Sequence, residues 1–113
     1  MTASPSAPAP IPEEQWTLPV SYYTDGGMVT LRDYVHPTRP VLTPAQLADQ
    51  QRAEVTAERI SRKAKFAVGM LGVGILDKAR ALIEVRARTT PGKVLIEIEF
   101  RLIQNMIRQA TAQ

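Results

Sequence analysis

"KFAVGMLGVGIL", Lys65 to Leu76, is the stretch whose reading decides the fold. It is apolar after Lys65, carries Gly69, Gly72 and Gly74, and continues the basic run "RISRKAK". A membrane span needs about 20 apolar residues, and Lys65 and Asp77 bound this run too closely. A dinucleotide loop is written G-x-G-x-x-G after a strand and before a helix. Here the glycine order is reversed, and the preceding segment reads as helical. The remaining reading places small residues inside a helix, where each glycine costs about 1 kcal/mol relative to alanine. Close approach of another backbone, or a bend, offsets such a cost. Gly69, Gly72 and Gly74 are therefore expected at a helical contact seam.

Downstream, the pattern supports helix more strongly than strand. Ile96, Phe100, Ile103, Ile107 and Ala110 follow 4-3-4-3 spacing, opposite a polar stripe of Glu97, Arg101, Gln104 and Arg108. "ALIEVRAR" and "KVLIEIEFR" also alternate, so "TTPG" between them could turn a hairpin. Upstream, Thr43-Pro44 reads as a helix cap followed by a proline at the first helical position. Leu47, Val55 and Ile60 are sparse on the segment that follows, which predicts a largely solvated helix or one packed along a narrow line.

The first part differs in composition. Of 9 prolines in 113 residues, all but Pro91 lie at or before Pro44. Residues 1–15 read as an extended arm, because repeated Ala-Pro disfavours helix and offers little surface to bury. Val20–Tyr23 and Met28–Val35 flank "DGG", a strong hairpin signal. Trp16, Tyr22, Tyr23 and Tyr34 hold most of the aromatic content and are candidate anchors on a partner surface.

Chemistry finds little to stand on. The chain has no cysteine, so disulfides and thiolates are excluded. Its single histidine, His36, precedes a proline in a connection. Asp25 belongs to the turn, and Glu97 and Glu99 read as solvated side chains. No metal, cofactor or catalytic residue is expected, and the chain is read as non-enzymatic. Net charge is +3, concentrated between Arg59 and Arg88, with Arg59, Arg62, Lys63 and Lys65 as candidate phosphate contacts. The bland reading is that they solubilise a helix. "ILDK", Ile75 to Lys78, resembles the start of the helix–hairpin–helix of gas vesicle shell proteins. Ala79 stands where that family has glycine, and Ile83, Val85 and Ala87 fall out of phase, so no family is assigned.

Together these features predict a mainly α chain. Residues 1–42 form an extended arm with a β-hairpin at about 18–35, and residues 43–113 form a helical hairpin or small bundle for oligomerisation. The alternative is α+β, with a C-terminal β-hairpin at 81–101. The expected function is a structural subunit of a larger assembly, such as a virion-like particle, with a cytoplasmic or virion location. Its partners are other protein subunits, in a homo-oligomer or hetero-complex. Its interface draws on the four aromatic anchors, the three glycines and Ile96, Phe100, Ile103 and Ile107. The alternative function is an adaptor that binds nucleic acid or an anionic membrane surface through residues 59–88, with no transmembrane span.

Overall fold

The structure is a computed structural model that describes residues 10–112. Residues 1–9 of the expected arm lie outside the described part. The described chain is α+β, with five α-helices and two separate two-stranded antiparallel sheets.

The segment expected to end the arm is packed, not extended. A short helix α1 (Glu13–Trp16) follows Pro12, and Ile11 is buried in the core. Strands β1 (Pro19–Tyr22) and β2 (Met28–Thr30) then form the expected hairpin, with Ser21 opposite Val29 and a register shift between Pro19 and Ser21. Gly26 and Gly27 take φ of +104° and +83°, which the reversal of "DGG" requires of residues without a Cβ. Strand β2 is shorter than the sequence suggests. At Leu31 the chain turns into helix α2 (Leu31–Val35), because the Thr30 hydroxyl accepts a bond from the Asp33 amide and caps it. The Pro-rich return then runs beside β1, where the Leu42 amide donates to the Tyr22 carbonyl at 2.8 Å.

Two glutamines organise the next turn. The Gln46 side chain accepts from the Thr43 amide at 2.8 Å over a 3-10 turn, Pro44–Gln46. Gln51 does the same for Ala48 at 2.9 Å at the start of α3 (Asp49–Ser61). The expected helix therefore starts later, and its role is larger than its sparse apolar residues suggested. Ala53, Val55, Thr56, Ala57, Arg59 and Ile60 are all buried, so α3 is a central element.

The glycine-bearing stretch is a β-hairpin, which overturns the helical seam. Strands β3 (Ala67–Met70) and β4 (Gly74–Asp77) pair with Val68 opposite Leu76 and Met70 opposite Gly74. The Val73 amide closes the turn on the Met70 carbonyl at 3.1 Å, and Gly72 holds φ +80°, as position i+2 of a type II turn demands. Gly74 follows at φ +95°. Such a succession of left-handed residues cannot continue a helix.

The C-terminal hairpin alternative is not what forms at 81–101. Helix α4 (Lys78–Ala87) begins where the Asp77 carboxylate accepts the Arg80 amide at 2.9 Å. Helix α5 (Thr90–Thr111) begins where the Thr89 hydroxyl accepts the Gly92 amide. Thr89 is thus the cap, with Pro91 in the first turn. A tight helical seam does exist in this protein, at Gly92. A Cβ on Gly92 would stand 2.0 Å from the Glu84 carbonyl oxygen, so only glycine lets α5 meet the end of α4.

One core joins both parts of the chain. Val20 and Leu31 pack in the same cluster as Val55, Ile60, Leu76, Val85 and Ile103. At its centre lies an ion pair. Arg59 Nε donates to Glu99 Oε1 at 2.8 Å, with side-chain exposures of 0% and 8%. The same guanidinium donates to the Pro19 carbonyl and to Gln15 Oε1, each at 3.0 Å, and so ties α1, β1, α3 and α5 together.

Candidate functional site: an apolar hairpin and cleft

The sequence-predicted site residues do not converge on one place. Ile96, Phe100 and Ile103 are buried in the chain's own core, and Ile107 packs half-buried against it. They therefore pack within the chain itself. The aromatic residues are also engaged at home. Trp16 and Tyr34 pack against the core, and burial raises the Tyr34 phenol above its ordinary pKa. Tyr22 donates its hydroxyl to Glu54 at 2.8 Å. Burial, with the adjoining carboxylate, pushes its pKa up to about 12. Tyr23 is buried under the Arg39 guanidinium, 3.6 Å above its ring.

The basic segment is divided in the same way. Arg59 is sealed in the core and cannot meet a phosphate. Glu99 is its counter-ion, not the solvated side chain expected from sequence. Arg62 pairs with Glu58 at 2.8 Å and also donates to the Thr17 carbonyl. Lys63 sits 3.8 Å from Glu99 and over the Phe66 ring. Lys65 alone of the four is exposed without a partner among the described residues.

The three glycines remain together, in a different setting. Gly69, Gly72 and Gly74 shape a hairpin with two unlike faces. Phe66, Val68 and Met70 lean toward the core, while Ala67 and Gly69 face outward. At the tip, Leu71 is fully exposed, and Ile75 on β4 is 74% exposed. Large aliphatic side chains gain nothing from water at such sites, since burying one is worth about 1.5–3 kcal/mol. Beside the tip lies an apolar cleft of about 360 Å³, formed by Met70, Leu71 and Val73 on one side and Thr90, Pro91 and Val94 on the other. Val94 is itself exposed, as is Ile98 one turn further along α5. A knob and a hollow of matching chemistry therefore adjoin each other.

This surface is apolar throughout. Its lining holds no titratable group. Among the described residues, no three His, Cys, Asp or Glu side chains gather as a metal set, and no helix is long and apolar enough to cross a membrane. No family model matches the chain, and no curated protein or solved structure is significantly similar to it.

Proposed function

We propose that the chain is a non-enzymatic subunit of a protein assembly, in which the β3–β4 hairpin and the start of α5 contact a second copy. The observation that carries this reading is the fully exposed Leu71 beside an apolar cleft of the same subunit. Two copies related by a twofold axis can exchange these features, each Leu71 entering the other's cleft between Val73 and Val94. A self-complementary patch of this kind is what an isologous contact requires. Both strands of the hairpin are also edge strands, with backbone groups open to pairing on their outer sides. The adaptor reading through residues 59–88 loses Arg59 to the core and is the weaker one.

Light scattering coupled to size exclusion tests the proposal. The wild type should exceed the 12.5 kDa of one chain. Leu71→Asp should return it to the monomer with an unchanged circular dichroism spectrum, because Leu71 is fully solvated in the isolated subunit. A wild type that remains monomeric at about 100 µM, or a Leu71→Asp variant that associates as well as the wild type, would refute it.

A further inference from the structure

A second surface shares no lining residue with the hairpin cleft. Helices α3, α4 and α5 border an open groove of about 830 Å³. Arg52, Arg88, Lys93 and Arg101 line it, against Asp49 and Glu97. Arg101 already holds Glu97 at 2.6 Å. Arg52 lies over the Phe100 ring at 5.2 Å and donates from Nη2 to the Pro44 carbonyl at 3.4 Å, contacts that orient its guanidinium without neutralising it. No carboxylate among the described residues lies within 4.0 Å of Arg88 or Lys93.

Arg88 is the unusual member. It ends α4 at φ +53°, ψ +42°, the only described residue other than glycine with positive φ. Helices ending this way favour glycine, since a Cβ is strained in that conformation. Here a long cationic side chain occupies the position and lines the groove. Strain retained at one position is a pointer to a role that folding alone does not supply.

We infer that this groove binds phosphate groups, carried either by a nucleic-acid backbone or by a phosphorylated small molecule. The Arg52 and Arg88 guanidinium groups offer the planar forks that match phosphate oxygens in pairs, Lys93 adds a point charge, and Arg101 is shared with Glu97. The groove's volume falls within the range of about 300–1,000 Å³ that ligand sites occupy. The tests are anisotropy with a fluorescein-labelled single-stranded oligonucleotide and calorimetry with inorganic tripolyphosphate, both at 50 mM salt. At least one probe should saturate. For the oligonucleotide, raising salt to 200 mM should weaken binding about tenfold, as release of two or three counterions requires. Tighter binding of the oligonucleotide assigns the site to nucleic acid; tighter binding of tripolyphosphate assigns it to a small ligand.

Arg88→Gly separates this role from folding. It should weaken the bound probe about fivefold or more while leaving Tm unchanged or raised, since glycine relieves the strain. Arg86→Ala, an equal loss of charge at an exposed site on the same helix, should leave affinity near wild type. Failure of both probes to bind, equal weakening by Arg86→Ala and Arg88→Gly, or a lowered Tm for Arg88→Gly would overturn the inference.

Discussion

Removing one charge from the Arg59–Glu99 pair should do more damage than removing both. In Glu99→Leu the guanidinium stays fully buried, with only the Pro19 carbonyl and Gln15 Oε1 as neutral acceptors. Breaking a buried pair in this way typically costs about 3–5 kcal/mol, because one charge is left without compensation. For a chain of this size, 1 kcal/mol moves Tm by roughly 4 °C, so a fall of about 12–20 °C is expected. Arg59→Met should cost a similar amount. It strands Glu99 near Lys63, whose amine at 3.8 Å compensates only in part, and frees two further acceptors. In the double variant Arg59→Met/Glu99→Leu, both desolvated charges are gone and apolar volume replaces them. Substitutions of that kind are often neutral or stabilising, although here Pro19 and Gln15 lose a donor. The double variant should therefore be more stable than either single one, within about 2 kcal/mol of wild type once those unpaired acceptors are counted. Urea unfolding of the four proteins, followed by circular dichroism, closes the cycle. Single variants costing under about 1 kcal/mol, or costs that simply add in the double variant, would refute the account of a charged centre.

Other positions give separate tests. Gly92→Ala should destabilise by about 3 kcal/mol or more, since its Cβ meets the Glu84 backbone at 2.0 Å and overpacking outweighs the helix propensity gained; thermal melts check this. Gly72→Ala should cost about 1–2 kcal/mol although nothing lies within 4 Å of the new methyl, because φ +80° is strained for any L side chain. Thr56→Val should stabilise by about 1 kcal/mol, since its hydroxyl is buried with no partner in the described structure. In an alkaline titration followed by tyrosinate absorbance, Tyr22 should ionise near 12 and Tyr22→Phe should remove that phase. Because folding raises this pKa above 10, its stabilisation is complete below pH 10 and is lost as pH rises toward 12.

Helix α5 was legible because its apolar spacing runs unbroken over many turns, and the first hairpin because "DGG" demands a reversal. The second hairpin, β3 to β4, was also written in the sequence, in a period of two. Phe66, Val68 and Met70 alternate with the small residues Ala67 and Gly69, so one face is large and the other nearly absent. Attention to the glycines alone hides this, since three glycines fit a helix seam as readily as a turn. The Pro-rich segment misled in the opposite direction. Ile11 and Gln15 are tied to the core by contacts far away in sequence, which no local pattern reports.

The buried pair shows why that distant information is still partly readable. Arg59 stands between Val55, Thr56 and Ile60 on the buried face of α3, and Glu99 stands among Leu95, Ile96, Phe100 and Ile103 on that of α5. A charge inside an apolar stripe must find an opposite charge, because burying it alone is far too costly. Two such intrusions of opposite sign, on two helices, identify each other. Their meeting point also explains the division of the surface. The interior consumes Arg59, Glu99 and most of the aliphatic face of α5, while the hairpin tip keeps its leucine in solvent and the groove keeps Arg88 strained. Neither the exposed Leu71 nor the left-handed Arg88 helps the chain to fold. Features that add nothing to the stability of the free chain and offer complementary chemistry to something outside it are where binding is to be sought.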